Sequence, residues 1–185
     1  MKNNTAKKLL SLFHWKIDTS ISLPDKCVVC IAPHTSNWDF IVGILFKYAT
    51  NLHASFFMKK EWFRFPLNKF MKSLGGIPID RSKKNNITDI IAEEFHKRDN
   101  LIIGLTPEGT RSLNYEWKKG FYFIAQKANV PIVLAYIKKK KKIVGYNKLL
   151  NPTNYEEDIK IIKNFYSNIS AKYPEKFGWK ASAEL

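Results

Sequence analysis

The sequence is poor in cysteine, with Cys27 and Cys30 as the only two among 185 residues. Both lie in the apolar run 27–32, which predicts a buried strand, and strand residues three apart point to opposite faces. A four-ligand zinc site would need a second cysteine pair, which this sequence does not have. We therefore interpret the pair as two core residues of a protein from a reducing compartment.

Long apolar runs are also missing, since none reaches the roughly 18 residues expected of a membrane span. Residues 9–13 form a short apolar run after three lysines, but the run is too short for a signal peptide. The expectation is therefore an intracellular protein that is not exported. No internal repeat and no linker rich in Pro, Gly or Ser divides the chain, which has eight Gly and eight Pro.

Acidic side chains are few, with 16 Asp and Glu against 31 Lys and Arg, and the formal net charge is +15. Such an excess predicts an anionic partner: nucleic acid, an anionic membrane or an acidic protein. Aromatic residues make up 14% of the chain, and aromatic side chains interspersed with basic ones favour a membrane interface. Composition leaves nucleic acid open, although no zinc-finger, aromatic RNA-binding or helix-turn-helix pattern is present.

What is present is an alternation of apolar strands with amphipathic helices. The pattern predicts strands at 26–32, 54–58, 101–105 and 132–137, helices at 5–15, 38–49, 86–97, 118–129 and 155–172, and two short helical pieces separated by Pro66. An extended segment is predicted at 77–80 and an edge or hairpin at the lysine run 138–142. The expected fold is α/β, with a mixed, mainly parallel sheet flanked by helices on both faces. We divide the chain into a short basic amphipathic segment, 1–20, and a single domain, 21–185.

His34 and Asp39 lie just beyond the first predicted strand, where functional residues of α/β sheets gather. A carboxylate on one nitrogen of an imidazole fixes its tautomer and leaves the other nitrogen free to accept a proton. This is the arrangement of a general base whose nucleophile comes from the substrate. The alternative is that Asp39 caps its helix and His34 is a surface histidine. The spacing alone favours that alternative.

Two further segments carry groups suited to a polar ligand. After the strand 101–105, Glu108 can hydrogen-bond a hydroxyl, Gly109 allows close approach to the backbone, and Arg111 offers a fork suited to phosphate. After Gly76, an extended segment leads to Arg81, a second candidate for phosphate. The alternatives are an ordinary turn with a solvated ion pair, and a surface arginine paired with Asp80.

Taken together, these segments resemble the glycerolipid acyltransferases of the lysophosphatidate acyltransferase type. That family has four blocks in order, matched here by residues 34–39 (His-x4-Asp), 76–81 (Gly-x4-Arg), 107–112 (Pro-Glu-Gly-Thr-Arg-Ser) and 130–132 (Val-Pro-Ile). The segment 59–61 also resembles the basic stretch before the second block. The resemblance spans about residues 27–137.

The resemblance implies acyl transfer from the thioester of acyl-CoA or acyl-carrier protein to a hydroxyl, with 1-acylglycerol-3-phosphate as the default acceptor and phosphatidate as the product. It implies a glycerol-phosphate acyltransferase-like fold, with His34 as general base and Asp39 orienting it. The implied substrate-binding residues are Lys59, Gly76, Arg81, Glu108, Gly109, Thr110, Arg111 and Pro131. No metal and no cofactor is expected, since the acyl carrier is a co-substrate.

Many relatives have a longer N-terminal membrane element. Here residues 5–15 and the basic, aromatic run 56–72 are the candidates for membrane contact, although the run 56–72 could instead be a core helix with a solvated basic face. We interpret the lysine run 138–142 as a solvated hairpin. The expected location is peripheral, on the cytoplasmic face of the cell membrane. The expected partner is an anionic membrane surface, and nucleic acid is not expected to be a partner.

Several alternatives stay open. The acceptor could be another lysolipid, an aminolipid or a pigment alcohol. A non-enzymatic protein could use the same charge to bind nucleic acid or a membrane surface. A serine hydrolase using His34 and Asp39 is a third alternative, although the Gly-x-Ser-x-Gly elbow of that class is missing.

Overall fold

Seven strands form one sheet in this computed structural model, which describes residues 3–79 and 87–178. The strands are β1 (Lys16–Thr19), β2 (Lys26–Ile31), β3 (Ala54–Lys59), β4 (Gly76–Ile79), β5 (Leu101–Leu105), β6 (Ile132–Lys138) and β7 (Ile143–Leu150). Their order across the sheet is β1-β7-β6-β2-β5-β3-β4. The five strands from β6 to β4 are parallel. Strand β7 is antiparallel to β6, and β1 is parallel to β7. The predicted mixed, mainly parallel sheet is confirmed.

Helices cover both faces of this sheet. The helices are α1 (Asn3–Leu12), α2 (Asn37–Ala49), α3 (Leu67–Ser73), α4 (Ile87–Lys97), α5 (Gly120–Ala128) and α6 (Tyr155–Ser167), with 3-10 turns at Lys60–Phe63 and Pro174–Lys176. Buried residues of α1 and α2 form one core layer, and those of α4, α5 and α6 form the other. Cys27 belongs to the first layer and Cys30 to the second. Both thiols are free and buried, as predicted.

Polar residues at the helix ends set where the helices begin and stop. Ser36 and Asp39 form a capping box that starts α2, with each side chain accepting from the backbone of the other residue. Asn129 adopts a left-handed conformation (φ 51°) at the end of α5, and Pro131 then prevents the helix from continuing. Asn154 caps α6, whose first turn contains three acidic residues that favour a helix N-terminus.

The fold predicted from the sequence needs one correction and one completion, and one further prediction is confirmed. Helix α6 ends at Ser167, not at Lys172, and residues 168–178 form a tail that contains the second 3-10 turn. Strands β1 and β7 were not predicted. The lysine run does lie in the turn of a β6–β7 hairpin, which confirms that prediction.

The N-terminal segment packs on the rest of the fold. Ala6 and Leu10 of α1 are buried in the core layer that α2 forms, and β1 joins the sheet beside β7. Within the described ranges, no helix is both long enough and apolar enough to span a bilayer.

Candidate active site

His34 and Glu108 meet at the carboxyl edge of the sheet. His34 follows β2, Glu108 follows β5, and these two strands are parallel neighbours, so their following loops lie side by side. The backbone N–H of His34 donates a hydrogen bond to Oε1 of Glu108 at 2.8 Å. The structure therefore joins two of the predicted blocks directly, although 74 residues separate them in the chain.

Asp39 lies beside the His34 ring and also caps α2. Its Oδ2 accepts hydrogen bonds from the backbone N–H groups of Thr35 (3.0 Å) and Ser36 (2.8 Å), and the same oxygen lies 3.8 Å from Nδ1 of His34. That separation is an electrostatic contact and is longer than a hydrogen bond. Asp39 was interpreted either as a helix cap or as the partner of His34. In the structure it caps α2 and also lies beside the His34 ring.

The surroundings of His34 favour the neutral imidazole. The His34 side chain is 16% exposed. Burial lowers the pKa of His34, and the nearby charges of Arg111 and Lys139 lower it too, while the Asp39 carboxylate raises it. The net direction is downward from the ordinary value of 6.5. An imidazole that stays unprotonated at neutral pH can accept a proton, which a general base must do.

Glu108 is a buried carboxyl group with one oxygen unpaired. Its side chain is 1% exposed, and its Oε2 has no hydrogen-bond partner among the described residues. Burial raises the pKa of Glu108 to about 7, the hydrogen bond from His34 opposes the rise, and the charge of Asp39 adds to it. Near neutral pH this carboxyl can therefore accept or donate a hydrogen bond through Oε2.

The loop after Glu108 is held tightly against the start of α5. Gly109 has a left-handed backbone (φ +66°), and a Cβ there would lie 2.6 Å from Cε of Lys118. The backbone N–H of Lys118 donates to the carbonyl of Pro107 at 2.7 Å. Thr110 and Arg111 follow with exposed side chains. Arg111 is close enough for its charge to act on His34, so this loop brings a guanidinium group to the predicted base.

The other predicted binding residues are placed differently. Lys59 ends β3 at the same edge of the sheet as His34. Gly76 is packed tightly, because a Cβ there would lie 2.8 Å from the carbonyl oxygen of Met71, which makes it a packing residue in this structure. Arg81 lies outside the described residues, so its predicted role stays a prediction.

Pro131 is not brought to His34. It precedes β6, and its carbonyl accepts a hydrogen bond from the N–H of Val28 at 3.0 Å. Val28 is the third residue of β2, whereas His34 lies three residues beyond the carboxyl end of that strand. Pro131 therefore lies toward the opposite edge of the sheet. Its carbonyl takes part in the pairing of β6 with β2, and it does not contact His34.

Two features of this site were missed from the sequence. Nζ of Lys139 lies 2.9 Å from Oδ1 of Asp39, so this member of the lysine run is not a solvated residue. The tail 168–178 crosses the same edge: the N–H of Tyr173 donates to Oγ1 of Thr35 at 3.3 Å, and the backbone of Ser170 accepts from Lys139. The lysine run was a weak indication of the contact between Lys139 and Asp39. No sequence pattern indicated that the tail crosses this edge.

Helix α6 is fastened to the strands that carry these groups. The hydroxyl of Tyr166 is buried and donates to the carbonyls of Cys30 (2.6 Å) and Ala135 (3.0 Å). These carbonyls lie near the ends of β2 and β6, just before His34 and Lys139. Among residues 3–79 and 87–178, no group of three or more His, Cys, Asp or Glu side chains is arranged to hold a metal ion.

The fold and the site define an α/β protein with a neutral histidine, a buried carboxylate and a guanidinium group at the carboxyl edge of its sheet. The chain belongs to the acyltransferase family, whose model, described as "Acyltransferase", matches residues 15–138. The family resemblance predicted from the four sequence blocks is thereby confirmed.

Two relatives extend the comparison. The chain is 30% identical over 146 residues to the 1-acyl-sn-glycerol-3-phosphate acyltransferase of Saccharomyces cerevisiae, a match that covers 75% of this chain and 47% of the yeast protein. The chain thus spans about half the length of that relative. A solved 1-acyl-sn-glycerophosphate acyltransferase from Thermotoga maritima has the same fold, with a TM-score of 0.62, 20% identity, and coverage of 88% of this chain and 74% of the other.

Proposed function

We propose that this chain transfers a fatty acyl group from acyl-CoA or acyl-carrier protein to the free hydroxyl of 1-acylglycerol-3-phosphate, giving phosphatidate. The observation that carries the proposal is the meeting of two predicted blocks at one edge of the sheet: His34 beside Asp39, with Glu108 and Arg111 on the adjoining loop. The two relatives named above are described as enzymes of this reaction, which supports the choice of acceptor.

In the proposed mechanism, His34 removes the proton from the acceptor hydroxyl through Nε2, the ring nitrogen that does not face Asp39. The resulting alkoxide attacks the thioester carbonyl, and backbone N–H groups stabilise the negative oxygen of the tetrahedral intermediate. Collapse of the intermediate forms the new ester and breaks the carbon–sulfur bond. The imidazolium of His34 then returns its proton to the departing thiolate, so the base is regenerated.

The roles of the remaining residues follow from their chemistry. Arg111 presents a planar fork that suits the phosphate of the acceptor, and we assign Arg81 the same role from its sequence block. Glu108, with Oε2 unpaired and its pKa near neutral, can hydrogen-bond a glycerol hydroxyl. No cofactor enters this mechanism, because the thioester already activates the acyl group.

A mass-spectrometric assay of the purified chain tests the proposal. Acyl-CoA and acyl-carrier-protein donors are each offered to a panel of acceptors: 1-acylglycerol-3-phosphate, other lysolipids, an aminolipid and a pigment alcohol. The expected product is phosphatidate. A different acylated product would reassign the acceptor, whereas free fatty acid without ester would point to a hydrolase, and no product from any pair would contradict the proposed activity.

We also propose that the chain works at an anionic membrane surface, on the cytoplasmic face of the cell membrane. The support lies in the segment around α3, which does not have the buried apolar face of the alternative core helix: Met71 is buried, but Trp62, Phe65, Leu67 and Phe70 are exposed. Exposed basic side chains alternate with them, namely Arg64, Lys69 and Lys72. Aromatic and basic groups together suit the headgroup region of a bilayer.

Vesicle sedimentation at about physiological salt tests this second proposal. The chain should bind vesicles containing phosphatidylglycerol more strongly than neutral phosphatidylcholine vesicles. Phe70→Ser should weaken binding, while Ile90→Ser on α4 should not, although the two side chains are similarly exposed at 56% and 58%. Equal loss in both variants, or tighter binding to DNA than to vesicles, would contradict the membrane proposal.

A further inference from the structure

Lys139 stands apart from the other lysines of its run. It is the first residue after β6, and its side chain is only 15% exposed, whereas Lys140, Lys141 and Lys142 are exposed. Its Nζ lies 2.9 Å from Oδ1 of Asp39, whose own side chain is 4% exposed. This separation is that of a charge-assisted hydrogen bond between largely buried partners. Lys139 lies one residue beyond the range that the family model matches.

The carboxylate of Asp39 is thereby held on both oxygens. Oδ2 accepts from the backbone of Thr35 and Ser36 and faces Nδ1 of His34. Oδ1 is held by Lys139. A carboxylate held on one oxygen alone could rotate about its last bond, and the second contact restrains that rotation.

Lys139 is itself fixed from three directions. Its Nζ lies 5.1 Å from the centre of the Trp15 ring, within the range of a cation–π contact. Its backbone N–H donates to the carbonyl of Ser170 in the tail at 3.2 Å, and its carbonyl accepts from Lys142. Trp15 precedes β1, which runs opposite to β6, so its ring and the turn after β6 share one edge of the sheet. The ammonium group is therefore set in place before any substrate binds.

We propose that Lys139 is a positioning residue of the active site, whose ammonium group holds Oδ1 of Asp39 and so fixes the carboxylate against the His34 ring. This inference rests on the proposed function, since it assigns Lys139 a role in the same site. Lys139 also adds positive charge beside the base. Among the described residues, the other charged groups that face His34 are Asp39 on α2, and Glu108 and Arg111 on the loop after β5. On the tail, Lys172 lies over the ring of Trp38, the residue before Asp39.

The test compares Lys139→Met with Lys141→Met, which removes the same charge from the exposed part of the turn. Lys139→Met should lower kcat by about 10- to 100-fold, the size seen at metal sites when the group that orients a ligating side chain is removed. It should also shift the acidic limb of the kcat/KM profile to higher pH, because the charge of Lys139 opposes protonation of His34. Lys141→Met should change neither quantity, and Lys139→Arg should restore most of the activity.

A titration of the His34 ring protons by NMR gives a readout that does not depend on turnover. The pKa of His34 should rise in Lys139→Met and stay unchanged in Lys141→Met. Lys139→Gln, which keeps a hydrogen-bond donor but no charge, should show the same rise even where Lys139→Met folds poorly. An unchanged pH profile and an unchanged His34 titration in the neutral variants would overturn the positioning role. An inactive wild-type chain would instead overturn the proposed function, and the titration would still decide the role of Lys139.

Discussion

Glu108→Gln should remove the part of the pH dependence of folding stability that comes from the buried Glu108 carboxyl. The Glu108 side chain is 1% exposed and its Oε2 is unpaired among the described residues. Burial raises its pKa from 4.5 to about 7. Between these pH values the native protein holds a proton that the unfolded chain has released, so the free energy of unfolding falls as the pH rises. At 1.36 kcal/mol per pKa unit, the whole fall amounts to about 3 kcal/mol.

The assay is urea unfolding followed by tryptophan fluorescence at pH 5, 6, 7 and 8, for the wild type and the variant. Other titrating groups cancel in the difference between the two proteins. The measured quantity is the free energy of unfolding of Glu108→Gln minus that of the wild type. This difference should increase by up to about 3 kcal/mol as the pH rises from below 5 to above 7. Glu116→Gln, at an exposed position, serves as control and should show a flat difference. If the difference for Glu108→Gln also does not change with pH, or if it decreases as the pH rises, then Glu108 does not hold a proton in the native protein and the reasoning is refuted.

Three further substitutions test the packing of the fold around the site. Tyr166→Phe removes the buried hydroxyl that bonds the carbonyls of Cys30 and Ala135, so urea unfolding should show a loss of about 1–3 kcal/mol; a loss below 0.5 kcal/mol would contradict a fastening role for this hydroxyl. Gly145→Ala would place a Cβ 1.9 Å from the carbonyl oxygen of Asp18 and should cost about 1–3 kcal/mol by forcing β1 away from β7. Gly43→Ala on α2, where a Cβ meets nothing within 4 Å, should instead stabilise by about 0.5–1 kcal/mol. Equal effects of the two glycine variants would contradict the close β1–β7 approach.

The central part of the fold could be predicted from the sequence because burial leaves a clear pattern there. Strands β2, β5 and β6 are continuously apolar, as parallel strands covered on both faces should be. Their neighbourhood in the sheet then brings the loops of His34 and Glu108 together. The edge strand β1 gave no such signal, because three of its four residues are exposed. Strand β7 contains Gly145 and the exposed residues Lys148 and Leu149, so its sequence does not show a clear strand period.

The details of the site depend on contacts that no local pattern encodes. The four blocks taken together predicted His34 as the base and Asp39 as its partner, but five consecutive lysines look alike in sequence. Only the packing of the β6–β7 turn beside Trp15 and the tail selects Lys139 as the partner of Asp39. Likewise, the family resemblance implied that Gly76 of the second block is a substrate-binding residue. The structure shows Gly76 packed under Met71, because strand β4 passes beneath α3.

The role of His34 is the central claim. The most direct measurement compares phosphatidate formation from acyl-CoA and 1-acylglycerol-3-phosphate by wild type, His34→Ala and His53→Ala, where His53 is an exposed histidine outside the site. His34→Ala should lose at least about 100-fold in kcat/KM, the contribution of a positioned general base, with its unfolding midpoint in urea close to that of the wild type. His53→Ala should keep full activity. A folded His34→Ala protein that retained most of the wild-type rate would contradict the mechanism.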